Sequence, residues 1–354
     1  MKRYLLLLAA MVVSLVVPVA IYANNVSQAE VSDIETKVFY FGLNGSAFPA
    51  EPVAGSPAGW NSDPNFDDSL WSLAFLFQDL AYLDPITIPL FTGTGANWIS
   101  ISDDGLGEDS GQNDGLRGVY LYRKTFQVPA TARNLSAEVG IAADNYGWLY
   151  LNGVGVLEPA DTSENDRNFL PFPSLGSVLP KLLVCNNVIA AEVQNGCGDC
   201  AGEANIANGP TATIFAMQLN YELPDVVWRP PITHLGSIHK NGSTIPIKFR
   251  LFTQGGKLIR GMQDVYIAVH EGGFSETLGN IVIRWQLGNS VRNMRFSKGE
   301  AQYIVNFQTQ KLNLGSGEYT AVVHDGCTQE ALGYIEFQIG SPKDKEKPPG
   351  SKRK

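Results

Sequence analysis

Three groups of side chains in this chain have the types and spacing that chemistry uses. Asp67 and Asp68 are adjacent carboxylates, and a pair of carboxylates flanking a glycosidic bond can hydrolyse it. Neighbours on a strand point to opposite faces, and aspartates in a turn bond local backbone N–H groups, so this pair reads first as a structural turn. Asp103, Asp104, Glu108, Asp109 and Asp114 crowd a Gly-rich stretch. Hard oxygen ligands on such a loop suit Ca²⁺, although the spacing is not that of an EF-hand and a solvated acidic loop is the competing reading. The third group is Trp98, Asp144, Asn145 and Trp148. Aromatic rings stack on sugar rings while nearby carboxylate and carboxamide groups bond hydroxyls, so these four are the candidate ligand site. Trp148 and Tyr150 alternate and share a strand face, which leaves a core position for Trp148 and a plain turn for Asp144-Asn145 as the alternative.

No Gly-x-Ser-x-Gly elbow, Walker loop, His-Glu-x-x-His or dinucleotide fingerprint occurs, so the chain reads as non-catalytic. Four cysteines, Cys185, Cys197, Cys200 and Cys327, are too few for a disulfide scaffold. A strand-like run separates Cys185 from Cys197 and would hold them well beyond the ~7 Å Cα limit of a bridge. The close pair Cys197 and Cys200 is the expected disulfide, with Cys185 and Cys327 unassigned. All four histidines lie in the other half of the chain from that pair, which argues against structural zinc.

The elements that must carry these residues are strands. Low charge (17%), ample apolar content (44%), 36 Gly and 20 Pro in 354 residues describe a globular β-rich protein rather than a disordered or coiled-coil one. Residues 1–23 join Lys2 and Arg3 to an apolar run from Leu5 to Val17 and end at Ala23, the pattern of a cleaved secretory signal. An uncleaved anchor over Tyr4–Tyr22 is the alternative, and no later segment is long and apolar enough to span a bilayer. The expected location is therefore secreted, extracellular or cell-surface. A formal charge of −9 argues against nucleic acid as a partner, and the Lys-rich segment 341–354 reads as a disordered basic tail.

Strand signals bounded by Gly, Pro, Asn or Asp recur at 119–129, 135–143, 147–153, 187–194 and 212–223, then at 243–252, 264–270, 280–287, 301–309, 317–324 and 333–339. Short strands at this spacing predict an all-β chain of sandwiches. Ser69–Tyr82 is apolar nearly throughout, which leaves helix and buried strand both open. Consecutive prolines in 223–231 mark a linker, giving a first domain at 37–222 and a second at 232–340 that folds alone.

Phe66-Asp67-Asp68-Ser69-Leu70-Trp71, Tyr122-Arg123-Lys124-Thr125-Phe126, the run Ala143 to Gly153 and Asn187-Val188-Ile189-Ala190 occur in an order that resembles the galactose-binding-like jelly roll, including sugar-binding-type domains of secreted glycoside hydrolases. Lys240-Asn241-Gly242-Ser243-Thr244-Ile245-Pro246-Ile247-Lys248-Phe249 resembles the signature of bacterial Ig-like modules of the PxKF type. The resemblances imply a jelly-roll sandwich followed by an Ig-like sandwich in a bacterial exported protein. They also imply a glycan or cell-surface polysaccharide as partner, with the Ig-like module as spacer. A purely structural envelope or matrix protein and an accessory or divergent glycoside hydrolase are the alternative functions.

Overall fold

The computed structural model describes residues 25–31, 33, 35–42, 56–76, 94–97, 99–100, 118–143, 146–157, 168–169, 182–195, 213–274, 278–288 and 293–340. The chain is all-β. Its first half forms two six-stranded sheets. Sheet A runs β10 (Asn168–Phe169), β7 (Arg133–Ala143), β12 (Thr213–Glu222), β5 (Ile99–Ser100) and β4 (Phe75–Leu76), with β1 (Asn25–Val31) also paired to β12. Sheet B runs β3 (Ser72–Leu73), β2 (Lys37–Gly42), β6 (Gly118–Val128), β11 (Cys185–Asn195), β8 (Tyr146–Leu151) and β9 (Val154–Leu157). The alternation that marked these segments as strands puts Ile189, Ala191 and Val193 of β11, and Phe215, Met217 and Leu219 of β12, into one core. Of the apolar run Ser69–Tyr82, the part through Leu76 is described and holds two short strands: β3 joins sheet B and β4 joins sheet A, with Ala74 buried in the core between them, while 77–82 lie outside the described residues. Since β1 pairs along β12 from Asn25, the sandwich begins before residue 37.

The second half forms two five-stranded sheets. Sheet C runs β13 (Asp225–Arg229), β15 (Thr244–Phe252), β20 (Gln302–Gln308) and β19 (Arg295–Ser297), with β16 (Leu258–Ile259) against β15. Sheet D runs β14 (Ser237–Lys240), β22 (Ala331–Gly340), β21 (Gly317–Asp325), β17 (Val265–Glu271) and β18 (Ile281–Gln286). The Lys240–Phe249 motif is explained by its turn. Gly242 has φ +80°, its N–H donates to Thr309 Oγ1 at 2.9 Å, and Ser243 Oγ donates to Lys240 O at 2.5 Å. Pro246 sits where β15 has β20 on one side and β13 has not yet begun, so its missing N–H breaks no ladder bond.

The segment 223–231 is not a free linker. Asp225–Arg229 is strand β13, paired to β15, and Trp228 Nε1 donates to Tyr334 O at 3.0 Å. Val226 packs on Gly333, where a Cβ would approach Val226 Cβ to 2.8 Å, so only glycine admits β13 there. The apolar cores of the two sandwiches are continuous. At the junction Asp325, fully buried, accepts the Thr131 N–H at 2.8 Å from the β6–β7 turn. Burial first, then Glu330 and Asp325, push the Tyr221 hydroxyl up to about 12. Cys185, at the start of β11, is disulfide-bonded to Cys327 in the β21–β22 turn, with Cα atoms 5.1 Å apart. Cys197 and Cys200 lie outside the described residues, as do the proposed signal segment 1–23 and the tail 341–354. Among the described residues no helix is long and apolar enough to cross a membrane.

Two outcomes are expected. Non-reducing peptide mapping should recover the Cys185 and Cys327 peptides linked, and reduction should cost on the order of 3–5 kcal/mol because the bridge closes a loop of 142 residues. Unlinked peptides would remove the bridge. On sheet D, His324 stacks on Tyr266 with centroids 4.7 Å apart, lies 6.2 Å from His270, and donates through Nδ1–H to Gln329 O, 2.9 Å away. Burial, with His270 and Arg284, holds its pKa below the ordinary 6.5, against the raising effect of the Gln329 carbonyl. The stability it contributes is therefore complete above about 6.5 and is lost as pH falls toward the folded value. The urea midpoint should drop more between pH 7 and pH 5 in the wild type than in His324→Gln, and parallel profiles would refute this.

Candidate functional site

An eleven-residue strand such as β11 has two ends about 30 Å apart at ~3.3 Å per residue, and in the first sandwich the ends are used differently. One end faces the second sandwich: Val128 pairs with Cys185, Arg133 with Glu222, and Asn25 with Glu222. At the other end Gly118 pairs with both Asn195 and Gly42, Tyr146 pairs with Gln194, and Thr213 pairs with both Ala143 and Ile99. Because only two residues separate Ala143 from Tyr146, where the chain passes from one sheet to the other, these termini belong to one pole. Gly147 makes the corner feasible, since a Cβ there would come within 2.7 Å of Ala143 Cβ.

The sequence-nominated segments attach at that pole. Trp98 precedes Ile99, Asp144 and Asn145 join β7 to β8, the acidic run holding Asp103, Asp104, Glu108, Asp109 and Asp114 leads to Gly118, and Cys197 and Cys200 follow Asn195. Those residues themselves lie outside the described ones. Among the described residues no group of three or more His, Cys, Asp or Glu side chains can hold a metal ion.

Trp148 is described, and it departs from the sugar-stacking reading. It is 4% exposed and belongs to a second apolar cluster on the outer face of sheet B, with Val119, Leu121, Tyr150, Val188 and Ala190. The cover is the segment 56–76, which lays Trp60 and Trp71 on that face; Trp60 meets Tyr150 edge-on at 5.8 Å, and Trp71 stacks on Phe39 at 5.3 Å. An aromatic face already packed against protein cannot also stack on a sugar.

Arg123, centrally placed on β6 and 1% exposed, holds the cover down. Its Nε donates to Trp60 O and Nη2 to Asp63 O, each at 2.9 Å, Nη1 is ion-paired with Asp68, and the guanidinium lies 5.2 Å over the Phe66 ring. Asp68 is thereby committed to structure. Asp67 accepts the Ser69 N–H at 3.1 Å, and hydrogen bonds from Ser69 hold its pKa below the usual carboxylate value. The pair is a turn fixed by its own backbone and one arginine, as the turn reading expected.

Two residues that sequence reasoning missed lie at the loop-bearing end of the same face. Glu192 and Gln194 follow Val188 and Ala190 along β11, and Glu192 pairs across with Trp148. They are 1% and 0% exposed, and Gln194 Nε2 donates to Glu192 Oε1 at 3.1 Å. Gln194 Oε1 is buried without a partner among the described residues, an arrangement that costs free energy unless something accepts the role of donor. The signal was present: a glutamate and a glutamine at alternate positions in the run 188–194, which is otherwise built of Val, Ile and Ala.

No family model matches the chain, and no curated protein does. Solved structures to which the chain is similar include β-glucuronidase from Ruminococcus gnavus in complex with uronic isofagomine, 13% identical with a TM-score of 0.27 over 88% of this chain and 44% of that one. The same enzyme in complex with D-glucaro 1,5-lactone gives 14% identity and a TM-score of 0.28 over 89% and 46%. This chain thus spans less than half of those enzymes, and a likeness at this level carries no argument about its activity.

Trp148→Ala should destabilise the protein by about 3–5 kcal/mol in denaturant unfolding, the usual cost of emptying a buried aromatic site. Unchanged stability would show that the ring is not core.

Proposed function

We propose that this chain is an exported, non-catalytic binding protein of bacterial type. In this reading the first sandwich is a galactose-binding-like jelly roll holding a glycan or cell-surface polysaccharide, and the second is a PxKF-type Ig-like module that supports it. One observation carries the reading: the strand termini that flank Trp98, Asp144 and Asn145 converge on the pole away from the junction, directly above the buried pair Glu192 and Gln194. A rigid sheet end with loops on it is where binding residues are best positioned. The Gln194 carbonyl, which has no partner among the described residues, favours a ligand or loop donor at that point. Asp68, held in the Arg123 clamp, and Asp67, held by the Ser69 N–H, weigh against hydrolysis through that pair. With few polar contacts and little apolar area buried, the affinity should be micromolar to millimolar.

The test is a glycan array with the full chain, followed by titration of a retained glycan against Asp144→Ala/Asn145→Ala. Affinity should fall at least tenfold with the melting temperature unchanged. If no glycan is retained, the structural envelope or matrix reading replaces this one. Turnover of a glycoside panel that Asp67→Asn abolishes would replace it with a hydrolase.

A further inference from the structure

The second sandwich carries a cleft of about 970 Å³ whose charged lining, among the described residues, is cationic. Arg260 enters from the segment after β16, Arg295 and Lys298 from β19 and its end, and Asn293, Asn306 and Gln263 add carboxamides. The three cations are exposed, and the ion pairs found among the described residues involve Arg123 and Lys124 instead. Gly288 allows the cleft to be this close-fitting, because a Cβ there would collide with the Asn293 carboxamide. Its apolar lining is Leu287, Ile304 on the outer face of sheet C, and Phe296, which pairs with Tyr303 and packs against the core.

The strand register extends this charge beyond the cleft. Arg229 pairs with Lys248, Lys248 with Ile304, and Ile304 with Arg295, so one row across all four main strands of sheet C reads Arg, Lys, Ile, Arg. Residues paired in this way share a face, and it is the face away from the core, since Phe249, Tyr303 and Val305 point into the core; on it Ile304 is buried, Arg229 and Lys248 are half-buried and Arg295 is exposed. At ~4.8 Å per strand the row spans about 14 Å. Like charges directly opposite, as Arg229 and Lys248 are, repel each other. On the strands that carry the row, Asp225 lies at the far end of β13, and Glu300, just before β20, accepts from Gln302 through its carboxylate. In a chain with net charge −9, an outer face of this kind is a local reversal of sign.

We infer that this cleft and the adjoining row bind an acidic polysaccharide, with carboxylate or sulfate groups on the cations and hydroxyls on the carboxamides. A span of about 14 Å exceeds one anionic group and suits a chain of them. Amide side chains both donate and accept, as hydroxyls do. A single-stranded nucleic acid would need exposed rings for its bases, whereas Phe296 is half-buried against Tyr303, 5.0 Å away. The site lies on the other sandwich from the glycan pole proposed above and does not depend on it.

Affinity electrophoresis of the full chain tests this, in gels containing polygalacturonate, dextran sulfate, neutral dextran or single-stranded DNA. Retardation is expected in at least one acidic polysaccharide and not in neutral dextran. The Arg260→Gln/Arg295→Gln/Lys298→Gln variant should bind at least tenfold more weakly with an unchanged melting temperature, while Arg295→Lys, which keeps the charge, should retain most of the binding. No retardation by either acidic polysaccharide would overturn the proposal. So would retardation unchanged in the triple variant, which would place binding on the basic tail, or tighter binding to DNA that the triple variant abolishes.

Discussion

The junction between the two sandwiches rests on Asp325. A carboxylate with no solvent exposure is tolerated only when its oxygens accept hydrogen bonds. Asp325 Oδ1 takes the backbone N–H groups of Cys327 and Thr328, at 2.8 and 3.0 Å, which shapes the turn that carries Cys327. Its Oδ2 takes the Thr131 N–H from the other sandwich. One side chain thus holds the turn, presents the cysteine to Cys185 and docks the two sandwiches. With the apolar core continuous beneath it, the second sandwich is a partner in folding as much as a spacer.

Docking of one pole determines what the other pole can be. The ends of β6, β11 and β12 near Val128, Cys185 and Glu222 are occupied by the junction, so the connections that remain free to vary are those beyond Gly118, Asn195 and Thr213. This division, together with the need to bury both faces of sheet B, accounts for most of the unusual interior chemistry. The inner face packs on sheet A. The outer face needs a cover of its own, and a loop cannot be buried without partners for its carbonyls. Arg123 supplies them, because a planar guanidinium donates in several directions at once while a lysine would donate as a point charge.

The sandwiches therefore differ in where they present chemistry. In the first, both faces of sheet B are consumed by packing, and the pole away from the junction carries the long connections. In the second, sheet C turns one face away from the core, and β13, β15 and β19 place Arg229, Lys248 and Arg295 on it.

The all-β class and eleven of the longer strands were legible in the sequence: the segments expected at 119–129, 187–194 and 301–309 appear as Gly118–Val128, Cys185–Asn195 and Gln302–Gln308. Alternation of apolar and polar residues is a local property, and it fixes a strand and its inward face without reference to the partner. The turn reading of Asp67 and Asp68 was legible for the same reason. Strand β13 was not, because consecutive prolines mask a five-residue strand whose pairing with β15 comes from a segment about twenty residues later. The Cys185–Cys327 bridge joins positions 142 residues apart, a distance at which spacing says nothing about proximity. Whether Trp148 faced ligand or protein depended on the segment 56–76 folding back over sheet B, and the cationic row on sheet C depended on register among four strands. Local pattern determines which residues form strands and which way they point; only tertiary pairing decides what comes to lie against the face that points outward.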